Sequence, residues 1–287
     1  MYNLSDAATL RKLLEKHGFN FSKALGQNFL IDPSVCPRMA QSAVTSEDCG
    51  VIEIGAGVGV LTAELCKRAK KVVCIELDKR LLPVLDETLS DFDNYRIVNG
   101  DILKVDLKAL IADEFDGCKD ICVCANLPYY ITSPVIMKLL GDGLPVSRII
   151  VMVQREAADR LTAEVGSRES GAITVAVNFY AQAKKLFEVG RESFMPSPKV
   201  DSAVIELDLC KDKPSEIKNT EFFFSMVRAI FNQRRKTAVN GISSGLGIPK
   251  ESVKTALAKL GKEETVRAEN LTLDELSALA NELENLT

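Results

Sequence analysis

The segment VIEIGAGVGVLTAELCKRAK, Val51–Lys70, decides the architecture. VIEI is a short apolar run suited to a buried strand, GAGVG is a tight turn, and VLTAELCKRAK carries apolar residues at helical spacing. Strand, glycine turn and helix in that order form the opening half of a βαβ unit. The pattern then recurs along the chain. VVCIELD is followed by the helical KRLLPVLDETL, YRIVNGD makes a third strand ending in Asp101, and ICVCA runs into NLPYYITSP and the helix PVIMKLL. RIIVMVQ, Arg148–Gln154, is a fifth strand. Strands spaced by helices predict a parallel sheet with helices on both faces. Three later runs, AITVAVNFYA, KKLFEVG and SAVIELDL, have no helices between them and are expected to be antiparallel strands closing the sheet's edge. At CKDKPSEIKNT, Cys210–Thr220, the composition turns polar, and four helical segments follow, punctuated by Gly and Pro. The expected fold is α/β: a doubly wound sheet domain over residues 1–210, which includes an N-terminal helix and a loop at Phe19–Asp32, and a small helical domain over 211–287.

Composition narrows the function classes. With 26% charged and 46% hydrophobic residues in 287, the chain is an ordinary globular protein rather than a disordered one. No apolar run approaches the ~20 residues of a membrane helix. The first stretch, MYNLSDAATLRKLLEKHG, is charged throughout and reads as an amphipathic helix, not an export signal, so a cytoplasmic location without membrane association is expected. Cys66, Cys74, Cys122 and Cys124 fall in or beside apolar periodic runs and read as buried reduced thiols. There is no CxxC pair and one histidine, His17, which argues against a zinc site and against Ser-His-Asp or Cys-His hydrolysis. The net charge of −4 conceals an uneven distribution. Glu221 to Lys262 holds eight basic and two acidic residues, and Glu263 onward holds one basic and seven acidic, so +6 is followed by −6. A cancelled total of this kind can hide a basic face.

A glycine turn and the side chains of Glu76, Asp101 and Asn126 are expected to meet in one crevice. Glycines at 55, 57 and 59 let a ligand approach the backbone at a helix N-terminus, although a dinucleotide fold would favour G-x-G-x-x-G. Glu76 ends the second strand, where a carboxylate can accept both hydroxyls of a ribose, as it also would in an NAD enzyme. Asp101 can accept from a donor such as an adenine amine. Asn126 follows the fourth strand. Adenine, ribose and a zwitterionic amino-acid end suit this set better than a pyrophosphate does, which points to S-adenosylmethionine.

NLPYY follows its strand with an amide, a proline and two aromatics where a polar turn is usual. The Asn126 oxygen and a rigid carbonyl, of Leu127 or Pro128, form a pair of acceptors with a direction set by the proline ring. Such a pair suits an exocyclic purine amine, whose lone pair is delocalised. Two hydrogen bonds to its two hydrogens pull the nitrogen toward a pyramidal, nucleophilic state. Tyr129 offers a stacking face worth ~1–3 kcal/mol to an extruded base. The plainer alternative is that Asn126 caps the next helix while the tyrosines pack in the core.

KALGQNFL, EIGAGVGVLTAEL, NLPYYITSP and FMPSPKVDSAVIEL, with FNQRRKT and RAENLTLDEL, resemble the ribosomal RNA adenine dimethyltransferases, in particular the branch that acts on the bacterial small subunit. The likeness runs from about Phe21 to the C-terminus. It implies a Rossmann-like S-adenosylmethionine-dependent methyltransferase sheet with a C-terminal RNA-binding domain. It also implies that Gln27, Asn28 and Leu30 line the cofactor site with Gly55, Gly57, Glu76, Asp101 and Asn126, and that Phe194 stacks on the target base opposite Tyr129. Read locally, Phe194 could equally be a plug on the core. The implied substrate is a pair of adjacent adenosines, each dimethylated, in a hairpin loop near the 3′ end of 16S rRNA, within a small-subunit precursor. The chain is expected to act as a monomer, with no metal. Arg234, Arg235 and Lys236 are read as starting a helix, where cations oppose the macrodipole, so phosphate contacts explain them better than helix stability does. Lys250, Lys254 and Lys259 are expected to extend that basic face. The alternatives are a large-subunit methyltransferase of the same fold, a non-catalytic ribosome-assembly or nucleic-acid-binding factor, and an NAD oxidoreductase.

Overall fold

The computed structural model describes residues 2–22, 26–209, 217–233 and 235–285. The chain divides into two compact units, Met1–Ala158 with Lys184–Leu209, and Asp159–Ala183 with Cys210–Thr287.

In the first unit, α1 (Ala7–Lys16) starts at Asp6, whose carboxylate caps the helix by accepting the Thr9 N–H at 2.8 Å. Its apolar stripe, Leu10, Leu13 and Leu14, packs with Phe19, Phe29, Leu81 and Val84. The chain continues through β1 (Phe29–Leu30), α2 (Val35–Ala43), β2 (Cys49–Ile54), α3 (Val60–Cys66), β3 (Lys71–Glu76), α4 (Leu82–Thr88) and β4 (Tyr95–Asn99). Then come α5 (Leu107–Glu114), β5 (Asp120–Asn126), α6 (Thr132–Gly141), β6 (Arg148–Gln154) and α7 (Arg155–Leu161). After an excursion into the second unit, β7 (Ala181–Val189), β8 (Phe194–Met195) and β9 (Ser202–Leu209) complete the fold.

The main sheet has the order β4-β3-β2-β5-β6-β9-β7. The first five strands run parallel, and β9 runs antiparallel to β6. Every residue of β2 is buried, as the centre of a sheet covered on both faces requires. From β2 the strand order steps outward through β3 and β4, then reverses to β5 and β6. That reversal opens a crevice beyond the carboxyl ends of β2 and β5. A second, two-stranded sheet pairs β1 with β8, matching Leu30 to Phe194. It joins the GQNFL loop to the FMPSP segment, 164 positions further along.

The second unit is helical: α8 (Ala172–Tyr180), α9 (Thr220–Phe231), α10 (Ala238–Leu246), α11 (Lys250–Lys259) and α12 (Leu273–Glu284). Here the structure departs from the sequence reading. AITVAVNFYA forms α8, not an edge strand, and it clusters with the C-terminal helices although the expected boundary at 210 assigned it to the sheet domain. Val175 and Phe179, one helical turn apart, pack with Phe223 and Met226 of α9. The Thr174 hydroxyl accepts the Gly171 N–H at 3.0 Å and donates to the Arg160 carbonyl at 2.8 Å, fixing the helix start. Tertiary burial and this anchor override the β propensity of Ile, Val and Phe.

The basic cluster also sits differently from expectation. The helix begins at Ala238 behind the Thr237 cap, so Arg235 and Lys236 lie in the turn before it. Arg234 falls outside the described residues. The lysine run is largely neutralised within the unit: Lys254 meets Glu251 and Glu264 at 3.2 and 3.0 Å, and Lys259 meets Glu282 at 2.7 Å. Lys262 meets Glu275 at 2.5 Å. The basic and acidic stretches of the sequence therefore offset one another in space. Among the described residues no helix is long and apolar enough to cross a membrane.

Candidate active site

A cleft of about 280 Å³ opens at the carboxyl ends of β2, β3 and β5 and beyond β4. It brings together Gln27, Asn28, Leu30, Gly55, Gly57, Glu76, Asp101, Asn126, Leu127, Pro128, Tyr129 and Phe194, whereas Gly59, the third glycine of the turn, does not line it and faces Thr88, Leu85 and Leu89. Arg235 and Lys236 are not part of it.

The floor is the β2–α3 turn. Gly57 adopts φ +59°, and a Cβ there would stand 3.3 Å from the Phe29 ring, so only glycine suits the position. Its N–H donates to Glu76 Oε2 at 2.9 Å, and the Asp78 N–H donates to Glu76 Oε1 at 2.8 Å. Glu76 is thus held rigidly with one backbone donor on each oxygen and acceptor capacity left over. Burial raises its pKa, and these two N–H groups oppose the rise. Asp101, two residues past β4, accepts the Leu103 N–H through Oδ1 at 3.0 Å. Leu77 and Leu103, 48% and 40% exposed, form an apolar rim beside Glu76 and Asp101.

The loop carrying Asn28 and Leu30 is tied down by Gln27. Its amide nitrogen donates to Asp78 at 2.8 Å, and its oxygen accepts the Ser22 N–H at 2.8 Å. Gln27 therefore positions the loop. Asp78, which the sequence reading passed over, also holds Arg80 at 2.6 Å, and that guanidinium lowers the Asp78 pKa. An acid directly after the strand ending ELD was the only sequence signal for it.

At the far side, Asn126 ends β5 half-buried, and among the described residues its side-chain amide has no hydrogen-bonding partner. It does not cap α6, which starts at Thr132 without a side-chain cap. The Pro128 carbonyl accepts the Ile131 N–H at 3.1 Å, whereas the Leu127 carbonyl has no such partner. Tyr129 is half-buried with its hydroxyl 2.9 Å from Ser202 Oγ, and Tyr130 is 56% exposed. Ser202 was not legible as a site residue, because only the fold of β9 against β6 brings it here. Phe194 is 4% exposed within the core cluster, as a core plug would be, and it also lines the cleft.

Glu53 is the residue that sequence reasoning quoted but gave no role. It is 1% exposed, its Oε1 has no partner, and it lines the cleft. Burial pushes its pKa up to about 7, against hydrogen bonds from Thr62 and Cys74. In all, the described residues of the cleft present the acids Glu53, Glu76 and Asp101 and no lysine, arginine or histidine. A pyrophosphate would meet the carboxylates of Glu76 and Asp101 without a countercharge from the described residues. A cofactor carrying a sulfonium and an ammonium suits that field.

The chain is similar to proteins of one family along most of its length. The profile of the family described as ribosomal RNA adenine dimethylase matches residues 18–285. A ribosomal RNA small subunit methyltransferase A from Geobacillus sp. (strain WCH70) is 46% identical over 279 residues, covering 96% of each chain. The protein of the same name from Anoxybacillus flavithermus is 47% identical over 277 residues, covering 95% of this chain and 94% of its own. Among solved structures, a dimethyladenosine transferase from Plasmodium falciparum superposes with a TM-score of 0.74 at 26% identity, covering 90% of this chain and 98% of its own. The 23S rRNA methyltransferase ErmE gives 0.66 at 27% identity, covering 90% and 100%. The chain belongs to the ribosomal RNA adenine dimethylase family.

Proposed function

We propose that this protein dimethylates the exocyclic amines of two adjacent adenosines in the 3′-terminal hairpin loop of 16S rRNA, using S-adenosylmethionine. The observation that carries the reading is the meeting of Asn126, the Leu127 carbonyl and Tyr129 with a cleft lined by Glu53, Glu76 and Asp101. Bound there, S-adenosylmethionine supplies an electrophilic methyl on a sulfonium. Asn126 Oδ1 and the Leu127 carbonyl accept the two hydrogens of the adenine amine, localising its lone pair. Leu127 is preferred to Pro128 because the Pro128 carbonyl is already bonded to the Ile131 N–H. Tyr129, anchored through Ser202, stacks on the extruded base, with Phe194 on the opposite face. Holding the amine in line with the methyl supplies most of the rate enhancement. The methylated nitrogen, once positively charged, sheds its proton to water without a dedicated base.

Arg235 and Lys236, with Arg234 beside them in sequence, bind RNA backbone. The protein acts as a monomer in the cytoplasm on a precursor of the small subunit. The small-subunit target is favoured over the large-subunit one by relatives at 46–47% identity along nearly the whole chain, against 27% for ErmE. Incubation with labelled S-adenosylmethionine and a mixture of undermethylated small and large subunits, followed by separation of the RNAs, nucleoside digestion and primer extension, is the test. Two neighbouring dimethyladenosines in small-subunit RNA are expected; label confined to large-subunit RNA, or no transfer, would refute the proposal.

A further inference from the structure

A second cleft, of about 580 Å³, lies in the same unit and is lined by Gln154, Arg155, Glu156, Arg191, Lys199, Val200 and Asp201. Its place in the fold is informative. Gln154, the last residue of β6, pairs with Ser202, the first of β9, and Ser202 Oγ stands 2.9 Å from the Tyr129 hydroxyl. The cleft is therefore one residue away from the group that anchors the stacking ring.

Its loop is held by the backbone. Asp201 Oδ1 accepts the Arg191 N–H at 3.2 Å, the Asp201 carbonyl accepts the Arg155 N–H at 3.0 Å, and Ser197 Oγ donates to the Arg191 carbonyl at 2.9 Å. None of these bonds uses a cationic head group. Arg155 reaches Asp201 at 3.6 Å with both side chains open to solvent. The Arg191 and Lys199 side chains are exposed and form no ion pair among the described residues. Three cations thus converge on a cleft whose carboxylates are Glu156 and Asp201. Unpaired among the described residues, the charges of Arg191 and Lys199 are open to an anion.

The geometry points to this cleft as a binding site for RNA phosphates flanking the target nucleotide, with Arg191 and Lys199 as its principal ligands and Arg155 as support. The inference rests on the adenosine-methylating reading above. A base stacked on Tyr129 carries its own phosphates, which the sugar confines to this neighbourhood. Extruding that nucleotide sacrifices a few kcal/mol of stacking, and a backbone clamp beside the base offsets the loss. Phosphate contacts of this kind position the strand without reading sequence.

The test uses the full chain with Arg191→Gln and Lys199→Gln together, and separately Lys199→Glu. Equilibrium binding of undermethylated small subunits, without cofactor, is followed from low to high salt, and methyl transfer is measured in parallel. The double variant is expected to flatten the log–log salt dependence by about two and to raise KM for the particle, with cofactor affinity and kcat at saturating particle unchanged. Lys199→Glu is expected to raise KM further. Because these side chains are exposed, unchanged cofactor affinity serves as the check on folding. A wild-type salt slope and KM in both variants would overturn the site alone. Absence of methyl transfer by the unaltered protein would overturn the functional reading alone, since the binding slope is measured independently of transfer.

Discussion

Glu53→Gln should make stability at neutral and alkaline pH greater relative to the unaltered protein than it is at acid pH. The Glu53 carboxyl is raised from its ordinary 4.5 to about 7 because the fold buries it. Between those values the unfolded chain has released the proton while the folded chain retains it, so the folded state binds more protons. Stability must then fall as pH rises from about 4.5 to about 7 and level off above that. The full loss is about 3 kcal/mol, taking 1.36 kcal/mol for each tenfold change in acidity. The buried thiols around it do not blur the transition: Cys36, Cys74 and Cys124 are pushed well above their usual range by burial and Cys66 to about 12, so these thiols stay protonated. Glutamine retains an oxygen for Thr62 and Cys74, and its NH₂ takes the place of an oxygen that has no partner, a pH-independent penalty of roughly 1–3 kcal/mol. Urea unfolding of ligand-free protein at pH 5, 6, 7 and 8 reads the difference between the two proteins. That difference is expected to move by about 2–3 kcal/mol in favour of glutamine from pH 5 to pH 8. A difference that stays flat across this range would show that Glu53 is not titrating as its burial requires.

Asn126→Ala should reduce kcat by far more than it weakens cofactor binding, read by single-turnover transfer alongside calorimetry; parallel losses would make Asn126 a cofactor ligand only. Glu76→Ala removes a charged acceptor for two hydroxyls, worth about 1.5–3 kcal/mol, and should raise the cofactor Kd roughly 10- to 100-fold, with normal affinity counting against the assignment. Phe223→Ala, at a fully buried position among Val175, Phe179 and Met226, should destabilise the helical unit by about 3–5 kcal/mol, with faster hydrogen exchange in α8 and α9 as the direct readout.

The sheet was legible because its strands are central, apolar and separated by helices, so period and length agreed. The cleft was legible for the same reason: Glu76 and Asn126 are the last residues of buried strands, and strand ends at a reversal of order must converge. α8 was misread because a run of Ile, Val and Phe looks the same whether it faces a sheet or one side of a helix bundle. The direction of the RRK segment was misread by a few residues, since Thr237 is the cap that starts α10. Ser202, Asp78 and the pairing of Lys254, Lys259 and Lys262 with distant acids depend on contacts between segments far apart in sequence, which no local pattern encodes.

The chain departs from the sheet unit after Ala158, contributes α8 to the helical one, and returns at Lys184 before leaving again beyond Leu209. The chain passes between the units three times where a simple appended tail would need one crossing. A protein stopped after Leu209 would keep α8 but lose Phe223, Met226 and Ile230, leaving Val175 and Phe179 bare to water and prone to aggregation and proteolysis. Grafting the helical unit between relatives accordingly means transplanting 159–183 together with everything from 210 onward, and chimaeras spliced at the linker alone would mismatch their own interior.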